Sequence, residues 1–80
     1  MNYNEKMQSM PKKVIDFTIA CLDMNTIQEL SSELELADNS CESDCKTWDI
    51  SPKQWRFAIQ TAHYVKIIGG SIMDNGRIVV

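Results

Sequence analysis

Eighty residues, 44% apolar and 24% charged, make a chain of one small domain with a core near the lower size limit. That balance does not suggest disorder, and no apolar run approaches the length of a membrane span. The net charge of −3 hides an uneven distribution. Residues 1–24 balance. Residues 25–50 carry Glu29, Glu33, Glu35, Asp38, Glu42, Asp44 and Asp49 against Lys46 alone, a net of −6. Residues 51–80 carry Lys53, Arg56, Lys66 and Arg77 against Asp74, a net of +3. Such asymmetry suggests a partner that meets one end of the molecule and is repelled by the other.

In chain order, residues 1–9 are polar and are expected to form a flexible N-terminus, with a single domain over 10–80. The stretch M-N-Y-N-E-K lacks the apolar run of a secretory signal, and an odd count of three cysteines fits a reducing compartment, so a cytoplasmic location is expected. Ser9 is a candidate cap, with Pro11 in the first turn of a helix over Lys12–Leu22. Val14, Phe17, Thr18 and Cys21 trace one stripe and Ile15, Ile19 and Leu22 an adjacent one, giving a wide apolar face. Asn25 with Gln28 forms a plausible capping box for a second helix from Thr26 to about Ala37. Ile27, Leu30, Leu34 and Ala37 line its apolar side, opposite an acidic, solvated one. Asp38–Asp49 is rich in residues that prefer local hydrogen bonds to helix, and reads as a loop.

The most fully marked stretch begins at Ile50. Ser51 as N-cap, Pro52 at the first helical position and Gln54 closing a capping box predict a helix over 51–66, with Ile50 and Trp55 placed as a hydrophobic staple. Trp55, Ala58, Ile59, Ala62 and Val65 form its buried stripe. Lys53, Arg56, Phe57, Gln60, Thr61 and Tyr64 remain on its other surface, unless Phe57 and Tyr64 pack against the ribbon that follows. Val65, Ile67 and Ile68 are β-branched, Gly69-Gly70 breaks the helix, and Asn75-Gly76 signals a type I′ hairpin turn within 67–80.

Few groups suit catalysis. Cys41 and Cys45 are separated by three residues, more than the two usual in zinc and redox pairs; Cys21 and His63 are the other soft ligands. Acidic neighbours raise thiol pKa, so the cysteines read as structural or incidental. His63, near the edge of the buried stripe, reads as structural too. A non-enzymatic protein without metal or cofactor is expected.

The order of elements (helix, short break, acidic amphipathic helix, loop, capped helix, Gly-tipped ribbon) resembles the winged helix-turn-helix superfamily. S-P-K-Q-W-R-F-A-I-Q-T-A-H-Y-V-K stands at the recognition-helix position and I-I-G-G-S-I-M-D-N-G-R-I-V-V where the wing belongs. The resemblance covers residues 10–80 and implies a three-helix winged-helix-like (α+β) domain, mainly α with a C-terminal β-hairpin. It also implies a regulator that binds duplex DNA through Lys53, Arg56, Gln60, Tyr64 and Arg77. The linker of about twelve residues and the acidic charge depart from that pattern. The alternative is a protein-binding inhibitor or adaptor, of the kind phages and mobile elements encode. Its acidic segment 25–50, with Glu29, Glu33, Glu35 and Asp38, would engage a basic, nucleic-acid-binding surface. Ile78, Val79 and Val80 end the chain on a β-edge that is a candidate homodimer contact.

Overall fold

A computed structural model of the chain describes residues 2–35 and 41–80. Among these residues are five helices: α1 (Tyr3–Gln8), α2 (Lys12–Met24), α3 (Ile27–Leu34), α4 (Glu42–Trp48) and α5 (Pro52–Ile68). An antiparallel hairpin follows, β1 (Ser71–Ile72) with β2 (Ile78–Val79), in the register Ser71↔Val79 and Ile72↔Ile78. The expectation of a mainly helical chain ending in a hairpin holds. The expected three helices are corrected to five.

Helix α5 is the hub, packed against α2, α3, α4 and β1. Its start is the one read from sequence. The Ser51 hydroxyl accepts from the Gln54 N–H at 3.1 Å, and the Gln54 side chain accepts from the Ser51 N–H at 2.9 Å. Two groups that helix geometry leaves without partners are thereby satisfied. The other end runs past the expected limit. Ile67 and Ile68, which were expected in the strand after residue 66, complete the last helical turn. Gly69 then adopts φ 70°, its N–H bonds the Lys66 carbonyl, and the Gly70 N–H reaches back to Val65. This is a Schellman end, and it overrides the local preference of the β-branched residues.

The predicted stripe of α5 is the centre of the core. Trp55, Ala58, Ile59, Ala62 and Val65 are buried together with Val14, Phe17, Cys21 and Leu22 of α2 and Leu30 of α3. Ile50, the expected staple residue, is buried in the same cluster. Two threonines lie fully buried without penalty, because each bonds a carbonyl one turn back: Thr18 to Val14 at 2.7 Å and Thr61 to Phe57 at 2.8 Å.

Several local expectations are corrected. Residues 1–9, expected to be flexible, contain α1, capped by the Asn2 side chain. Met7 is fully buried against Ile15 and Phe57, and Tyr3 packs on the same small cluster. Ser9 closes α1 and does not open α2, whose N-cap is Pro11. The second capping box is Thr26 with Glu29, one residue beyond the expected pair; Asn25 instead ends α2, donating its side-chain amide to the Cys21 carbonyl at 3.0 Å. Helix α3 is described to Leu34, and Ala37 lies outside the described residues.

The expected loop over Asp38–Asp49 contains α4. Cys41, Cys45 and Trp48 recur at helical spacing and pack against the main core. Glu42 and Asp44 in the first turn and Lys46 in the last complement the helix dipole. Asp49 ends α4 in the left-handed conformation, φ 54°, a position short polar residues tolerate.

The hairpin turn also differs. Only Gly76 has positive φ, at 88°. Its N–H bonds the Met73 carbonyl at 2.8 Å, and the Met73 N–H bonds the Arg77 carbonyl at 2.8 Å. This is a three-residue loop with the glycine as bulge rather than a two-residue type I′ turn. A Cβ on Gly76 would stand 2.8 Å from the Met7 carbonyl, so the hairpin tip presses on the end of α1. The Asn4 side chain accepts from the Ile78 N–H at 3.2 Å and donates to the Ile78 carbonyl at 3.4 Å, tying α1 to β2.

Candidate functional site

The residues expected to read DNA are not presented as one open surface. Lys53, Tyr64 and Arg77 are exposed. Arg56 is half-buried and donates from Nη1 to the Leu34 carbonyl at 3.2 Å, at the C-terminal end of α3. Lys66 behaves alike, donating to the Leu22 carbonyl near the end of α2 at 2.7 Å. Carbonyls in a last helical turn lack intrahelical partners and carry the negative pole of the dipole, so a cation is favoured there. Two of the four cations that give residues 51–80 their positive balance therefore brace neighbouring helices.

Tyr64 is stacked on Tyr3, with ring centroids 4.7 Å apart, and Tyr3 stacks in turn over Phe57 at 6.2 Å. Phe57 is buried beneath α1, with the Lys6 Nζ 4.7 Å above its ring. The sequence allows the two α5 aromatics to pack inward on the ribbon; in the structure their neighbour is α1. Gln60 is half-buried between these flanks.

The acidic residues are arranged differently. Glu29 belongs to the capping box: it accepts from the Thr26 backbone N–H at 2.9 Å, and that bond, followed by the Thr26 side-chain contact, holds its carboxyl below the usual range. Glu35 is exposed at the end of α3, and Asp38 lies outside the described residues. Glu33 stands between two depressions. One, of about 550 Å³, runs over α3 past Thr26, Gln28 and Glu29. The other, of about 300 Å³, lies between α2, α3 and α4, with Asp44 and Glu33 both in its lining. Asp44 is fixed by the indole of buried Trp55, whose Nε1 donates to Oδ2 at 3.1 Å. Neither Glu33 nor Asp44 forms an ion pair among the described residues. Glu33 lies on the acidic face that the helical period marks, whereas in the sequence Asp44 stands in a stretch that reads as a loop. The signal was present in the helical spacing of Cys41, Cys45 and Trp48, which puts Asp44 one turn before Trp48.

None of the three cysteines is in a disulfide. The Cys45 and Cys41 sulfurs lie 3.4 Å apart, with Cys45 donating. Burial, then the Cys41 contact, pushes the Cys45 thiol up to about 11. Burial, then the charges of Asp44 and Glu33, pushes Cys21 up to about 12. Thiols held this high carry little thiolate near neutral pH, so nucleophilic chemistry is not favoured at them. His63 is half-buried on α5. Among the described residues no three of His, Cys, Asp and Glu are grouped to hold a metal ion. None of their helices is long and apolar enough to cross a membrane.

No family model matches the chain, and no curated protein or solved structure matches it.

Proposed function

We propose that this chain is a small, non-enzymatic protein-binding module whose acidic surface, centred on α3 and α4, engages a basic, nucleic-acid-binding surface of a partner protein. The observation that carries this reading is the contrast in how the charges are used. Arg56 and Lys66 cap neighbouring helices, whereas Glu33 and Asp44 have no cation partner among the described residues. Charges already engaged within the fold are poorly disposed to recruit a ligand, and unpaired ones steer a partner of opposite sign.

The winged-helix reading keeps the support of a mainly helical chain that ends in a hairpin and of exposed Lys53 and Arg77. It requires α5 to enter a major groove, yet α5 packs against α2, α3 and α4, and the exposed Tyr64 ring is stacked on Tyr3. Phosphate contacts dominate duplex affinity, and each adds roughly −0.9 to the slope of log K against log salt. Two exposed cations would therefore give weak binding with a shallow slope.

The test is affinity capture by the wild-type chain and by an E33K/E35K variant, which leaves the Glu29 capping box intact, followed by competition of the captured protein with labelled duplex DNA. A basic partner held by the wild type, lost by the variant and displaced by DNA is the expected result. Direct, salt-sensitive binding of duplex DNA to this chain, weakened by Lys53→Ala and Arg56→Ala but not by the charge reversal, would overturn it in favour of the DNA reading.

A further inference from the structure

We infer that the cleft between α2, α3 and α4 seats one arginine side chain of the basic partner, a refinement that rests on the protein-binding role proposed above. Its floor is apolar, formed by Phe17, Cys21 and Ile59. Trp48 makes one wall, half-exposed, its ring 5.4 Å from that of Phe17 and tilted by 56°. Glu33 from α3 and Asp44 from α4 stand at the rim. A volume of about 300 Å³ is ample for one long side chain but small for a folded element.

The chemistry of these walls narrows the occupant. A neutral apolar group would strip water from two carboxylates and give nothing back, and an anion would be repelled. An ammonium is a compact, strongly hydrated charge that loses much by entering an apolar cleft. A guanidinium is planar and weakly hydrated, lies flat on an indole, and donates to two carboxylates at once. Its methylene stem would cover the floor.

Three further features agree. The bond from Trp55 holds the Asp44 carboxylate in place before any ligand arrives, which lowers the cost of ordering it on binding. The Cys21 thiol in the floor feels both carboxylates, so their fields converge inside the cleft. At the mouth, Met24 is 79% exposed and offers a flexible apolar edge.

The full chain, labelled with ¹⁵N, is titrated with acetyl-Gly-Arg-Gly-amide and with its lysine and citrulline counterparts, monitored by chemical shift. The arginine peptide should perturb the amides of Cys21 and of Ala20, which also lines the cleft, and the indole of Trp48. The citrulline peptide should bind at least tenfold more weakly and the lysine peptide several-fold more weakly. Glu33→Gln should weaken the arginine peptide about fivefold, and Ala20→Phe should abolish the perturbation. Glu33 is at the rim, so that variant is expected to keep the wild-type melt even if Ala20→Phe does not. Equal binding of all three peptides would overturn the assignment. An arginine-rich decapeptide separates it from the broader reading. Binding confined to the outer face of α3 and indifferent to Glu33→Gln would sink the cleft alone. No binding of the decapeptide would sink both.

Discussion

Gly76 and Gly69 both adopt positive φ, at 88° and 70°, but they differ in what surrounds them. A Cβ on Gly69 meets nothing within 4 Å; one on Gly76 meets the Met7 carbonyl at 2.8 Å and the Ile15 side chain at 3.1 Å. The left-handed conformation alone costs a non-glycine residue about 1–2 kcal/mol. Gly69→Ala should therefore lose about that much. Gly76→Ala should lose more, because backbone at the end of α1 has to move. Urea denaturation of the two variants decides the matter, and equal losses would mean that the contact with α1 yields freely. Glu29 offers a residue-scale test by pH. Its ordinary value of 4.5 is lowered by the capping bonds. A carboxyl depressed on folding contributes stability above its unfolded value and loses that contribution as pH falls through the folded value. The stability gap between wild type and Glu29→Gln should thus be constant at neutral pH and shrink below pH 4.5. Urea midpoints between pH 7 and pH 3 would show it.

Among the elements, those with complete local signals were legible in sequence. Ser51, Pro52 and Gln54 mark the start of α5 through contacts within four residues, and the stripe of α2 is fixed by periodicity alone. What escaped depended on remote partners. Residues 1–9 look polar because their apolar content is spaced out, at Tyr3 and Met7, and only the packing of those two residues on Phe57 and Ile15 makes α1 worth forming. Helix α4 was hidden by its Asp, Ser and Cys content, although Cys41, Cys45 and Trp48 carry the helical period. Ile67 and Ile68 misled in the opposite direction, their β propensity outweighed by tertiary packing and the glycine end. The acidic half of the candidate site could be read from composition. The roles of Arg56 and Lys66 as caps on other helices could not, since nothing in the sequence pairs them with Leu34 or Leu22.

For the molecule as a whole, α1 acts as a lid on a second small core. Met7 is fully buried in an 80-residue chain, where each large side chain is a sizeable share of the core. Met7→Ala should cost about 2–5 kcal/mol. Marginal domains have only about 5–15 kcal/mol in total, so this one change should lower the denaturation midpoint sharply. A negligible shift would show that α1 docks too weakly to matter. Because α1 lies over the Phe57 side of α5 and the candidate cleft lies between α2, α3 and α4, the loss should appear in stability well before it appears in partner binding.

The pair of hydrogen bonds between Asn4 and Ile78 has a further consequence. Ile78 faces Ile72 across the hairpin, and its N–H and carbonyl are both taken up by one side-chain amide of α1. A carboxamide has the same donor and acceptor as a peptide unit, so Asn4 imitates one residue of a third strand and then stops. Sheet growth by recruitment of another chain needs a row of such groups on offer. The expected dimer contact through β2 is thereby occupied, at its first rung, by the protein's own amide.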